Sequence, residues 1–548
     1  MLQSARRKEL GAYYTDVSVA RFLVCWALRT GKETVLDPSS GEGVFLSEAA
    51  ERIRDLGGNP DQQVFGVEID PIAHGRWAAR GSALSLSATQ VLHASFFDIA
   101  PGQLPLADAV VGNPPFIRYQ RFSGDARDAA LARARDAGVK LSRLTSSWAP
   151  FLVHAAQFVK PGGRLAMVAP AELTHAGYAI PVLDYFRKNF RATRILSFSR
   201  RIFPTLSEDT VLLLASGRGE PLETIQLIDL PDASALEKHV DPSMELPDGV
   251  EIDASALDQG RERVIHYLLP HGTRQLYRQL RNSDHVAVLR SLARVGIGYV
   301  SGDNAFFHLD AKTIDGYGIP AQYLLPVACR GSELQGLRFT LHDWKRLRSS
   351  GHANSLLYIQ RIQSLPEKLQ AYLLQGIRRG VPDRYKCRVR KPWYAVPHAH
   401  RPNAFLTYMT GGDPQFVANE AEAAAPNTLH IVRLVPNCPV TAVELAAAWQ
   451  TSLTALSCEV EGHSLGGGML KLEPTEAGRV AIALPNLSPG TLQSLATDLD
   501  GLLRDGKTES ARDLADEIIL RQGLGLSAGD VQQLREGWLL LRERRRSR

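Results

Sequence analysis

Over the first 217 residues, short apolar runs alternate with longer stretches whose apolar positions recur at helical spacing. The runs are "ETVLDPSS", "QVFGVEID", "ATQVLHASF", "ADAVVGNPP", "GRLAMVAP", "RILSFS" and "DTVLLLAS". Helix-like segments such as "VSVARFLVCWALRTG" and "WAPFLVHAAQFVKPGG" lie between them. This rhythm predicts a parallel, doubly wound α/β sheet, since crossover helices must cover both faces. The pattern leaves open whether the last run is antiparallel. The arginine-rich "FSGDARDAALARARDAGVKLSR" reads as a helix carried above the sheet. Residues 218–270, rich in Pro, Asp and Glu, read as a peripheral strand and a connector. From 271 the rhythm gives way to mixed short strands, turns and helices, and the chain ends in a helical, basic tail. The expected division is therefore a first domain over 1–270, with its core motifs in 8–217, and a mixed α+β domain over 271–548.

Composition narrows this picture. No apolar run approaches the ~18 residues of a membrane span, and the N-terminus lacks the apolar centre of a secretory signal. Cys25, Cys329, Cys387, Cys438 and Cys458 are scattered, without a CxxC or Cys/His cluster. That argues against structural zinc and disulfides, so no metal is expected and a cytoplasmic setting is. The net charge of +5 names no partner. Its distribution is more telling: from Arg330 to Arg401 there are 15 Lys and Arg against 4 Asp and Glu, a local +11. Such a segment is either a solvated face or a footprint for nucleic acid.

The candidate chemistry sits where the predicted strands end. "VLDPSSGEGVFL" takes a strand to Asp37 and then through a tight turn, with Gly41 and Gly43, into a helix. It lacks the third glycine of the dinucleotide fingerprint and the Gly-Lys-Ser/Thr of a phosphate loop. The next strand ends in Glu68, placed to accept hydrogen bonds from two ribose hydroxyls. After the third come Phe96 and Phe97, able to pack on an adenine ring, and Asp98, able to take its amino group. The fourth delivers Asn113, Pro114, Pro115 and Phe116. Ligands of open α/β sheets bind at this strand edge, so the expectation is that Asp37 and Glu68 face one crevice. The Asn113 side-chain oxygen and the Pro114 carbonyl can together accept both protons of a planar –NH2, making its nitrogen a better nucleophile. Phe116 can stack on the ring that carries it. A carboxylate could also accept, at a larger desolvation cost.

These motifs, in this order, resemble the S-adenosylmethionine-dependent, amino-directed DNA methyltransferases, in particular the adenine-N6 enzymes of the gamma arrangement found in type II restriction–modification systems, of which the TaqI methyltransferase is the familiar example. The resemblance covers roughly residues 8–217 and rests on "LGAYYT", "LDPSSGEGVFL", "GVEID", "VVGNPPF", "GGRLAMVAP" and "RIFPTLSEDTVLLLAS". It implies a Rossmann-like methyltransferase sheet followed by a target-recognition domain. It also implies an S-adenosylmethionine site lined by Tyr13, Thr15, Asp37, Pro38, Ser39, Gly41, Gly43, Glu68, Ile69, Phe96, Asp98 and Asn113. Asn113, Pro114, Pro115 and Phe116 would hold the target adenine, and Phe203 would contact the flipped base from another side. Two departures stand out. The catalytic aromatic is Phe rather than Tyr, and Ser95 occupies the place where the family often has an acid before "FF". In the second domain, "RVGIGYVSGDNAFF" and "RYKCRVRKPWYAVP" resemble stretches of related target-recognition domains. Arg388, Arg390, Lys391 and Trp393 are the candidate DNA contacts there, with a place in the hydrophobic core as the other reading of Trp393.

The expected activity is methyl transfer to the N6 of an adenine flipped out of double-stranded DNA, as the modification enzyme of a restriction–modification system. The expected state is a monomer, with a cognate restriction endonuclease as a further partner and no membrane. No Pro-Cys pair exists for cytosine-C5 transfer. RNA adenine-N6 methylation, DNA cytosine-N4 methylation and a catalytically silent DNA-binding specificity subunit are the alternatives.

Overall fold

The computed structural model describes residues 15–547 apart from 84–85, 88–89, 204–208, 242–244, 259–261, 360–364 and 466. The chain forms two compact units that divide between Leu269 and Pro270.

The first unit is built on one nine-stranded sheet: β1 (Val35–Asp37), β2 (Val64–Glu68), β3 (Val91–His93), β4 (Ala107–Gly112), β5 (Val159–Pro170), β6 (Phe190–Phe198), β7 (Thr210–Arg218), β8 (Ile225–Leu230) and β9 (Val250–Glu251). Their order across the sheet is β3-β2-β1-β4-β5-β7-β6-β8-β9. Strands β1 to β5 pair in parallel, as the alternation predicts. The last apolar run, β7, slots antiparallel between β5 and β6. Strand β8 extends the sheet parallel to β6, and β9 closes that edge antiparallel. The architecture is a doubly wound, Rossmann-like sheet.

The apolar runs become strands because both sheet faces are covered: Val110, Val111, Leu165, Met167 and Leu213 are all fully buried. Helix α1 (Val17–Ala27) begins at Asp16, whose carboxylate accepts from the Ser18 amide, and buries Phe22, Leu23 and Val24 completely. Each such side chain contributes about 1.5–3 kcal/mol of burial. The other helices introduced here are α2 (Val44–Asp55), α3 (Pro71–Ala83), α4 (Gly124–Asp136) and α5 (Trp148–Ala156). Every residue of α5 is buried, so its uniformly apolar sequence marks an internal helix rather than a surface one. The arginine-rich α4 buries only Ala130 and Ala134.

Register sets the site. Val35 pairs with Val64 and with Ala109, while Glu68 pairs with His93. Strands β1, β2, β3 and β4 therefore end at one edge. The order reverses between β1 and β4, the crevice position of doubly wound sheets.

The second unit has a five-stranded sheet in the order Ala293–Ile297, His430–Leu434, Ala404–Leu406, Phe416–Asn419, Arg338–Phe339. Smaller sheets and helices surround it. Its helix Ala528–Arg546 packs on Ser452–Glu461, where Arg545 and Glu459 form a buried ion pair at 2.7 Å. No described helix is long and apolar enough to cross a membrane.

Candidate active site

A cavity of about 260 Å³ opens at the C-terminal edge of β1, β2 and β4. Its floor is the turn after β1. Gly41 and Gly43 adopt φ of 53° and 84°, a left-handed backbone that glycine accepts without steric cost. At Gly43 a Cβ would stand 2.3 Å from the Trp77 ring, so the turn can approach α3 only without a side chain. Pro38, Ser39, Ser40 and Gly41 line the cavity, and Gly43 caps α2 just beyond it.

Glu68 lies in the wall. Its Oε2 accepts from the Gly41 amide at 2.6 Å and its Oε1 from the Asp70 amide at 2.7 Å. Burial raises its pKa, while those two amides pull the other way. The carboxylate is thereby fixed, with lone pairs left over for a diol. Ile69, Ile72, Phe96, Phe97, Phe122 and Phe151 supply the apolar part of the wall.

Asn113 stands at the end of β4. Its Nδ2 donates to the Thr15 hydroxyl at 3.1 Å, and its backbone carbonyl accepts from Ser39 Oγ at 3.1 Å. The side-chain oxygen Oδ1 is buried and takes no hydrogen bond. Ser40 Oγ is in the same state. Two orphaned polar atoms in cavity-lining residues are what a site for a polar ligand requires, because an unpaired buried acceptor costs about 1–3 kcal/mol. Pro115 and Ile117 also line the cavity, whereas Pro114 and Phe116 are buried beside it, Phe116 at 5% exposure.

Several expected contacts fall elsewhere. Asp37 does not face the crevice: it is 0% exposed, behind the loop. Its Oδ1 takes the Ser39 amide at 3.0 Å and its Oδ2 has no partner. The close pairing of β1 with β4 encloses it; a Cβ on Gly112 would lie 2.8 Å from Oδ1. Burial, partly offset by the Ser39 amide, pushes the Asp37 carboxyl up to about 8. Asp98 is exposed and lies outside the cavity, where Ser95 takes its place in the wall. The reason is a 3₁₀ turn, Phe96–Asp98, that sends both phenylalanines inward and the acid outward. His154, held neutral by burial with its pKa lowered to about 4, pins that turn by donating from Nε2 to the carbonyls of Phe96 and Ile99. Phe203 is 4% exposed in the core of the unit. Tyr13 lies outside the described residues, as does part of "RIFPTLSEDT".

In the second unit, Arg388 and Lys391 are exposed. Arg390 is committed to the fold: its guanidinium donates to the Ser301 carbonyl at 2.6 Å and the Val300 carbonyl at 2.5 Å. Trp393 packs against Phe306, with centroids 5.5 Å apart, and against Tyr394, at 5.6 Å. It is partly buried there, which fits the core reading. Part of the +11 is also neutralised by acids outside the segment, in pairs such as Arg338–Glu420, Arg384–Asp303 and Arg401–Glu422. Among the described residues no group of His, Cys, Asp or Glu could hold a metal ion. Sequence pattern gives no sign of Phe122, Phe151 and Ser147, which reach the cavity from α4's approach and from the start of α5.

A doubly wound sheet with a glycine turn, an acid and an NPPF loop at its switch point defines a Rossmann-like methyltransferase. The family comparison is more specific. The model "N-6 DNA Methylase" matches residues 1–245, and "Type II methyltransferase M.Eco57I, C-terminal domain" matches 261–520. The chain is thus similar to the N-6 DNA methylases over one part and to a type II methyltransferase over the other, and together these matches indicate a type II restriction–modification DNA methyltransferase. Among its relatives, Type II methyltransferase M.XamI of Xanthomonas campestris pv. amaranthicola is 24% identical over 88% of this chain and 87% of its own. Type II methyltransferase M.AccI of Acinetobacter calcoaceticus is 20% identical over 86% and 85%. The type IIL restriction-modification enzyme MmeI, solved in complex with DNA, shares the fold with a TM-score of 0.56 at 11% identity, over 98% of this chain and 76% of that one.

Proposed function

We propose that this methyltransferase is adenine-specific, transferring a methyl group from S-adenosylmethionine to the exocyclic N6 of an adenine swung out of duplex DNA. The observation that carries this reading is Asn113: a neutral amide with a buried, unpaired Oδ1 in the wall of the cavity that also holds Glu68.

The residues fit the cofactor. Glu68 is oriented to take ribose hydroxyls, the Phe96–Phe97 turn and Ile69 offer an apolar slot for a purine, and Ser39, Ser40 and Thr15 surround the remaining polar space. When bound, S-adenosylmethionine supplies an electrophilic methyl group on a sulfonium. Asp98 has no part in this binding, and Asp37 acts on it only through the loop it anchors.

The chain's own contribution is orientation. The target amine cannot be reached inside the base stack, so the adenine must leave it. Asn113 Oδ1 and the Pro114 carbonyl accept the two amine protons, which draws the nitrogen lone pair out of ring conjugation. Thr15 holds the amide so that Oδ1 rather than Nδ2 faces the amine. With S-adenosylmethionine bound, the amine so held would take its methyl group, the sulfur would leave as a neutral thioether, and the surplus proton on nitrogen would pass to water. No covalent enzyme intermediate is required. Holding the amine in line supplies the orientation term, commonly the largest entropic part of such a barrier.

The Pro270–Arg546 unit is the proposed target-recognition module, with exposed Arg388 and Lys391 as phosphate contacts. A cytoplasmic location and pairing with a cognate endonuclease complete the reading. The test is a methyl-transfer reaction with tritiated S-adenosylmethionine and unmodified genomic DNA, digested to nucleosides. Label co-eluting with N6-methyldeoxyadenosine is expected. Label in N4-methyldeoxycytidine overturns the adenine assignment, and label entering RNA but not DNA overturns the choice of substrate.

A further inference from the structure

Ser147 is the N-cap of α5, yet its side chain makes no capping hydrogen bond. The residue, 1% exposed, already has helical dihedrals, φ −58° and ψ −31°, whereas a capping serine is extended; its hydroxyl turns instead into the loop that follows β4. Ser147 Oγ donates to the Pro115 carbonyl at 2.5 Å and accepts from the Ile117 amide at 2.8 Å. The Ser147 amide adds a third bond, to the Ile117 carbonyl at 3.0 Å.

The two groups that the hydroxyl bridges belong to the peptide units on either side of Phe116. One side chain thus fixes both backbone dihedrals of that residue. Ser147 is itself held rigidly, because the next residue is anchored: Trp148 Nε1 donates to Glu172 Oε2 at 3.0 Å, and Tyr178 OH donates to the same oxygen. Trp148 is fully buried.

We propose that Ser147 is a positioning residue for methyl transfer, acting through Phe116 and the adjoining Pro114–Pro115 backbone. It sets the angle at which the aromatic ring meets the target base and the Pro114 carbonyl meets the amine. The inference rests on the role proposed above for Asn113 and the Pro114 carbonyl, and on the stacking that the sequence leads one to expect of Phe116.

Four forms of the full chain test it: wild type, Ser147→Ala, Ser147→Thr and Phe116→Ala, each assayed for kcat, KM for DNA, S-adenosylmethionine affinity by calorimetry and thermal melting. Ser147→Ala should lower kcat by about 10- to 100-fold, the range that a misplacement of about 1 Å produces. Its cofactor affinity should stay within about threefold of wild type, because the residues that hold the ribose and the purine are untouched. Ser147→Thr keeps the hydroxyl and should restore most of kcat, which general loosening of α5 would not predict. A Ser147→Ala kcat within twofold of wild type overturns the proposal. So does a fall in kcat matched by equal loss of cofactor affinity or left unrescued by Thr. If Ser147→Ala does not fold, Ser147→Cys, with a weaker donor of similar volume, is read by the same criteria. Normal turnover by Phe116→Ala would instead remove the base-stacking reading itself, whereas slow Phe116→Ala beside normal Ser147→Ala rejects only the role of Ser147.

Discussion

Replacing Asn113 by Ala separates orientation of the target from everything else the side chain does. In the structure that side chain makes one hydrogen bond, Nδ2 to Thr15, and its oxygen makes none. Stability should therefore fall by only about 0.5–1.5 kcal/mol, the worth of a single such bond. Removal of the orphaned Oδ1, whose burial is itself unfavourable, offsets part of that loss. The rate is another matter. An acceptor aimed at charge that develops in the transition state is worth about 2.7–4 kcal/mol, or about 10²- to 10³-fold in kcat. Cofactor affinity should stay within about tenfold, since Glu68, the glycine turn and the apolar wall remain and a single polar contact is worth little more. The assay is single-turnover transfer of tritiated methyl to DNA at saturating cofactor, with calorimetric titration of S-adenosylmethionine alongside. Asn113→Asp is the informative companion. It keeps an acceptor and forces Thr15 to donate, but it adds a buried charge, so its rate should fall between wild type and Ala. Turnover by Asn113→Ala within threefold of wild type would refute the reasoning, as would a rate loss fully accounted for by weaker cofactor binding.

Four further outcomes are expected. Glu68→Ala should weaken S-adenosylmethionine binding by about 1.5–3 kcal/mol, the worth of a charged acceptor, and unchanged affinity in calorimetry would remove it from the ribose site. Asp37, with its carboxyl raised to about 8, holds its proton in the folded state over a range in which the unfolded chain has lost it. Wild-type stability should therefore decline as pH rises from about 4 to 8, and Asp37→Asn should flatten that decline in denaturant melts; parallel curves for the two proteins contradict the burial argument. Arg388→Gln with Lys391→Gln should lower the log–log salt slope of DNA binding by up to about two, one for each phosphate no longer neutralised. Arg390→Ala should instead lower the melting temperature, because it strips the Ser301 and Val300 carbonyls of their donor. Filter binding over a salt series distinguishes the two sets.

Periodicity and motif order go far in the first unit. The apolar runs ending in Asp37, Glu68 and Gly112 are strands, and their ends share one edge, because alternation with helices leaves little choice of topology. What alternation cannot encode is where a residue points after its strand has ended. Motif order sets Asp98 against a purine amine, but a 3₁₀ turn pinned by His154 directs it to solvent. The same reading puts Asp37 in the crevice, but the close β1–β4 approach over Gly112 closes the sheet around it. The antiparallel direction of β7 depends on a connection whose residues carry no directional signal. Ser147 gives no sign in the sequence, since both partners of its hydroxyl are backbone groups 30 and 32 residues away. In the second unit, interleaved arginines and aromatics suggest a nucleic-acid face, yet composition cannot separate exposed Arg388 from Arg390, which holds carbonyls, or from Trp393, which fills the space beside Gly376 and Phe306.

The central claim is that the Asn113 loop methylates adenine in DNA. Single-molecule sequencing of DNA from cells lacking endogenous methylation, expressing either wild type or Asn113→Ala, tests it most directly. N6-methyladenine at one recurring sequence in the wild-type sample and its absence with Asn113→Ala are the predicted result. N4-methylcytosine in its place, or N6-methyladenine undiminished by the substitution, would contradict it.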